Sequence, residues 1–135
     1  MYNHILLPIE IGGPGDVKRA VAVAKTLISD TGKLTLLSVV EPLPNTAEAF
    51  VDVGLRDQIK KDAKVRLEAV AAQLGVENMA LLYGAVGRSI VDWAEKNGAD
   101  CIVMASHDPV LSDIFLGSTA AWVVRHAHTS VHVIR

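Results

Sequence analysis

The chain has 135 residues, with 13 Lys and Arg against 15 Asp and Glu for a formal net charge of −2, and half of its residues are apolar while only 4% are aromatic. That is one domain's length, residues 1–135, enough to hide roughly two-thirds of the unfolded surface without disulfides or metals. Apolar stretches such as residues 34–40 are interrupted by Thr35 and Ser38 and fall far short of the ~20 residues of a membrane span, and no Lys/Arg-rich run supplies a nucleic-acid footprint, so neither membrane nor nucleic acid is expected as a partner.

Short apolar runs alternate with stretches whose apolar residues recur every three or four positions, which predicts the order βαβαβαβαβ. The first strand covers residues 4–9, nearly all apolar, as expected where helices cover both faces of a parallel sheet. It ends at Pro8, Glu10 and a Gly12-Gly-Pro-Gly turn. Asp16 then caps a helix carrying Val17, Ala20, Val21, Ala24, Leu27 and Ile28 on one side, with Gly32 placed to stop it. Residues 34–40 form the second strand, and Glu41-Pro-Leu-Pro-Asn-Thr is a loop that cannot extend it, because proline donates no ladder hydrogen bond.

A longer helix is predicted over residues 53–74, closed by Gly75. Its apolar face is Leu55, Ile59, Ala63, Leu67, Val70 and Leu74, and its Lys60, Lys61 and Lys64 read as a solvated face. Residues 79–83 make a third strand, 86–97 a helix ended by Gly98, and 100–106 a fourth strand. After a loop over residues 107–116, Gly117-Ser-Thr opens the last helix and residues 131–134 form the last strand. Five strands joined by four right-handed crossovers give an α/β fold with a doubly wound parallel sheet and helices on both faces. Ligands in such sheets bind beyond the carboxyl ends of the strands, here residues 8–13, 39–42, Gly84 and 105–108.

Gly117, Ser118 and Thr119 are the strongest chemical signal. Free N–H groups and the positive end of the helix dipole make such a start an anion site, and the same residues serve equally as a plain N-cap. Glu10, a carboxylate at the end of an apolar strand, faces either water or a ligand, where it could accept a hydrogen bond from a base or sugar. The Gly12-Gly-Pro-Gly-Asp stretch lacks the Lys and Ser/Thr of a phosphate loop and reads as turn chemistry. His126, His128 and His132 find no Cys or carboxylate to complete a ligand set, so no metal site is expected. Cys101 sits in an apolar run as a small buried hydrophobe. Ser106, His107 and Asp108 are chain neighbours and cannot converge as nucleophile, base and orienter, so no enzyme is expected. The opening Met1-Tyr-Asn-His lacks the charged start of a secretory signal, which makes the cytoplasm the default location.

With these strands in hand, Gly84-Ala-Val-Gly-Arg-Ser-Ile-Val, Gly98-Ala-Asp-Cys-Ile-Val-Met-Ala-Ser-His and Leu116-Gly-Ser-Thr followed by Val-Arg-His-Ala and Val-His-Val-Ile-Arg give the chain an end-to-end resemblance to the universal stress protein A family. The resemblance implies the strand order 3-2-1-4-5, in the layering of flavodoxin-like and adenine nucleotide alpha hydrolase-like folds. It also implies a switch-point pocket for ATP, with Mg²⁺, or AMP, and at most slow ATP hydrolysis. Family members that bind ATP resemble Gly-x2-Gly-x9-Gly-(Ser/Thr) after the fourth strand. Here Ala105 and Asp108 stand where the glycines would be, and the segment between Asp108 and Gly117 has eight residues, one short of the pattern. A carboxylate about 5 Å from a phosphate would cost roughly 3 kcal/mol at an effective dielectric near 20, so weak binding is expected. Carried over position by position, Pro8, Ile9, Glu10 and Val39 would surround the base, and Ala105, Ser106, Gly117, Ser118 and Thr119 the phosphates. The alternative is a member without nucleotide that acts through protein interaction. The last strand, Val131-His-Val-Ile134, lies at a sheet edge, and a homodimer paired through it is expected.

Overall fold

Apolar side chains on both faces of a strand are hidden only when helices cover both faces, and the chain meets that requirement at its first strand. The computed structural model describes residues 1–13, 16–42, 53–106 and 116–135. In chain order these form β1 (Tyr2–Pro8), α1 (Val17–Leu27), β2 (Ile28–Val40), α2 (Val53–Leu74), β3 (Asn78–Tyr83), α3 (Val86–Lys96), β4 (Cys101–Ala105), α4 (Ser118–His126) and β5 (Ser130–Ile134). The five strands make one parallel sheet in the order β3-β2-β1-β4-β5, as the resemblance implied.

Alternate side chains divide the core into two layers. Ile5, Leu7, Leu36, Cys101 and Val103 meet Ala20, Val21 and Ala24 of α1 and Leu67 and Ala71 of α2 on one face. On the other, Leu6, Leu37, Ile102 and Met104 meet Ile90, Val91 and Ala94 of α3 and Ala120 and Val123 of α4. Ile5, Leu6 and Leu7 are therefore all at 0% exposure, which accounts for an uninterrupted apolar run in β1. Small side chains on α1 and α3 let those helices sit close to the strands. Gly87 plays the same part between α3 and α4, since a Cβ there would come within 2.9 Å of the Trp122 ring. Cys101 is buried in this core, where burial pushes its thiol up and leaves it a small apolar side chain.

Two expectations are corrected. α1 stops at Leu27 rather than near Gly32: Ile28 is already extended and its N–H caps Ala24. β2 starts at once, with Tyr2 opposite Ile28 and His4 opposite Lys33, so the strand bulges in between. Gly32 serves that bulge, because a Cβ would run into the Ile28 side chain. On α2, Leu55 is 48% exposed and Ala71 is fully buried, since only the C-terminal half of the helix contributes buried side chains. Gly75, at φ 65°, ends that helix as expected, and Gly98, at φ 68°, follows α3.

The amino end of the sheet is closed by a polar cluster. The Asp100 carboxylate accepts the N–H groups of Asn3 and His4, both at 2.9 Å, and the Asp100 N–H returns a bond to the His4 carbonyl. His4 Nδ1 lies 3.2 Å from the Asn97 carbonyl and Nε2 2.9 Å from Thr35 Oγ1. A carbonyl only accepts, so Nδ1 carries the proton and Thr35 donates to Nε2, which satisfies a neutral ring. Burial lowers the His4 pKa below its usual value. Burial of Asp100 acts to raise its pKa, but the N–H groups of Asn3 and His4 outweigh it and hold the carboxyl below the carboxylate range.

Because folding favours neutral His4, the unfolded chain takes up that proton first, and stability is full above about pH 6.5 and falls as the pH drops through the lowered folded value. Urea unfolding between about pH 5 and pH 8 should show this slope, and His4→Gln should flatten it whatever its overall cost.

Candidate functional site

Order reversal between β1 and β4 leaves a crevice at the carboxyl ends of those strands, because the chain leaves β1 toward one face and β4 toward the other. A cavity of about 510 Å³ opens there. Pro8, Ile9 and Glu10 enter it from the end of β1, Val39 from β2, Ala105 and Ser106 from the end of β4, and Gly117, Ser118 and Thr119 from the start of α4. All nine side chains or backbones expected at a site thus line one cavity. Asp108 and His107 lie outside the described residues, as do Pro14 and Gly15 of the first turn.

Backbone bonds fix the walls. The Ile9 N–H extends the β1–β2 ladder by bonding the Leu37 carbonyl at 2.8 Å, and the Gly13 N–H closes a turn on the Glu10 carbonyl at 3.0 Å. Gly12, at φ 76°, makes that turn possible. A Cβ on Gly13 would meet the Glu10 side chain at 2.8 Å, so the glycine reserves the space in which the carboxylate lies. Across the cavity, the Ser106 N–H bonds the Ile134 carbonyl at 2.8 Å and its Oγ accepts the Gly117 N–H at 2.9 Å. Gly117 is the N-cap of α4 and offers no side-chain cap. The N–H groups of Ser118, Thr119 and Ala120, which have no partner within the helix, are left at the cavity wall.

The lining also includes Asp16 and Glu41, which were not among the individually expected site residues. Asp16 holds the Arg19 N–H at 3.0 Å as the cap of α1, and its carboxylate lines the cavity as well. Glu41 follows the end of β2, within the strand-end segment that the fold rule singled out, and Met104 and Val86 complete the apolar wall. The signal for both carboxylates was positional, since each lies just beyond a strand end or at a helix start. The three C-terminal histidines have separate surroundings: His126 stacks on Trp122 with ring centroids 3.8 Å apart, and His128 Nε2 lies 3.9 Å from a Glu95 carboxylate oxygen. Among the described residues no three His, Cys, Asp or Glu side chains gather as a metal-holding group.

The family model described as "Universal stress protein family" matches residues 1–135. Universal stress protein G from Shigella flexneri is 30% identical over 145 aligned positions that cover all of both chains. The solved structure of hypothetical protein MJ0577 superposes with a TM-score of 0.81 at 24% identity, covering 99% of this chain and 96% of that one. The universal stress protein from Archaeoglobus fulgidus, solved in complex with dAMP, superposes with a TM-score of 0.64 at 18% identity over 99% of this chain and 98% of the other.

Ser106 joins β4 to the start of α4, and its removal tests that link. Ser106→Ala should lower stability by about 0.5–1.5 kcal/mol in urea unfolding, the usual worth of one such hydrogen bond.

Proposed function

The chain belongs to the universal stress protein family, and on that premise we propose that its switch-point cavity binds an adenine nucleotide, ATP or AMP, weakly and with at most slow ATP hydrolysis. The observation that carries this reading is the convergence of Pro8, Ile9, Glu10, Val39, Ala105, Ser106, Gly117, Ser118 and Thr119 on one cavity. Its volume, about 510 Å³, lies within the usual range for small-molecule sites. The base would lie against Pro8, Ile9 and Val39, with Glu10 accepting a hydrogen bond from the base or sugar. A phosphate would take the free N–H groups at the start of α4, with the hydroxyls of Ser118 and Thr119 beside it and Ala105 and Ser106 beneath. The dAMP held by the Archaeoglobus protein of the same fold supports an adenine ligand. Mg²⁺ would enter with ATP rather than on a ligand set of the chain, since the described residues gather none. No activated nucleophile is present among the described lining residues, which is why binding rather than turnover is proposed.

A second reading, protein interaction through a homodimer, is favoured by β5. Among the described residues it pairs only with β4 and ends the sheet, and Val131 and Val133 are half-buried there while His132 is exposed. An open edge of this kind is satisfied when a second copy pairs with it. No helix among the described residues is long and apolar enough to cross a membrane.

Nucleotide at ten times its Kd should stabilise the protein by about 1.4 kcal/mol, read as a rise in Tm. Ser118→Asp should abolish that rise while leaving α4 intact, because a carboxylate in a first helical turn suits the helix and repels phosphate. If neither AMP nor ATP at millimolar concentration raises Tm, the nucleotide reading fails. Light scattering on a size-exclusion column should give twice the 14.4 kDa chain mass, and a monomer would remove the β5 dimer.

A further inference from the structure

We infer that the cavity selects by the number of phosphates, taking an adenine nucleotide with one phosphate and rejecting the triphosphate, and that Glu10, Asp16 and Glu41 set this selection. The inference rests on the nucleotide reading above and deepens it. The three carboxylates all line the cavity, and no Lys or Arg does among the described residues. The segments outside the description cannot supply one either: residues 14–15, 43–52 and 107–115 contain no Lys or Arg. The basic residues in the first turns of α1 and α3, Lys18, Arg19 and Arg88, are exposed and off the cavity wall, and an Arg19 guanidinium N–H bonds the Arg135 carbonyl instead.

The donor side is equally limited. Ser106 Oγ already takes the Gly117 N–H, so the start of α4 offers the N–H groups of Ser118, Thr119 and Ala120, a set that fits the oxygens of a single phosphate. A second or third phosphate finds no further backbone donors on that turn. A compact cavity of this volume is about 10 Å across, near the Debye length, so every phosphate placed in it feels all three carboxylates. Each added phosphate brings about one more negative charge against three at roughly 8 Å, which in water amounts to about a tenfold loss of affinity per phosphate.

Isothermal titration of the full chain with adenosine, AMP, ADP and ATP, in low-salt buffer without Mg²⁺ and again with it, tests this. AMP should bind most tightly of the three nucleotides, with ATP weaker by about a hundredfold in the Mg²⁺-free buffer. Raising NaCl from about 0.05 M to about 0.5 M should narrow the ATP-to-AMP gap, because screening relieves repulsion, whereas a cation-lined pocket would lose affinity. Asp16→Asn with Glu41→Gln should narrow it at least tenfold, and Asn keeps the cap on α1. The single exposed change Glu41→Gln should narrow it in the same direction and does not touch the cap. ATP binding as tightly as AMP in the Mg²⁺-free buffer overturns the inference. So does a gap that neither salt nor neutralisation moves, since the selection would then be steric. If adenosine and AMP both fail to bind, the nucleotide reading itself falls, an outcome distinct from loss of selectivity.

Discussion

β1 has neither a free edge nor a free face, and the rest of the molecule is arranged around that constraint. Its edges are taken by β2 and β4, its faces by two helical layers, and Ile5, Leu6 and Leu7 have no contact with water. Right-handed crossovers then oblige the chain to build outward from β1 to β3 on one face and from β4 to β5 on the other. The gap where these two directions part lies at the carboxyl end of the sheet, between the ends of β1 and β4. The cavity is thus a consequence of topology, and its walls are whatever residues end β1, β2 and β4 and begin α1 and α4.

The two ends of the sheet have opposite electrostatic characters. At the amino end of β1 the polar groups are paired: Asp100 is held by backbone N–H groups, and a neutral His4 bridges Asn97 and Thr35. Charge there is consumed in closing the sheet. At the carboxyl end the arrangement is open, with Glu10, Asp16 and Glu41 lining a cavity that, among the described residues, no Lys or Arg lines. Neutral backbone dipoles act over a helical turn, while carboxylates act over a Debye length. The proposed selection by ligand charge rests on that difference in range.

Much of the fold was legible in the sequence because aliphatic runs of strand length have few other uses in a chain this short. β1, β4 and β5 fall within two residues of expectation, and α2 within its expected bounds. The α1–β2 junction was not legible, since Gly32 looks like a helix stop and only the close approach to Ile28 shows its other use. On α2, helical periodicity singled out Leu55 but not Ala71, because spacing alone does not say how far a helix overhangs its sheet. The expected site residues were placed together by the strand-end rule and by the family resemblance. Asp16 and Glu41 escaped notice for a physical reason: one already had a role as a cap, and the other stood before a proline-rich loop, where a surface carboxylate is ordinary.

The clamp between Asp100 and the backbone of Asn3 and His4 also bears on how the chain is made. β1 leaves the ribosome well before β4, since its β4 edge and its clamp are supplied by residues roughly a hundred positions later. Until β4 emerges, one edge of the most apolar strand has only β2 beside it, and long-range parallel pairing is slow to form. The pairing of β1 with β4 and the Asp100 clamp are therefore long-range contacts that close only after the intervening chain has been made.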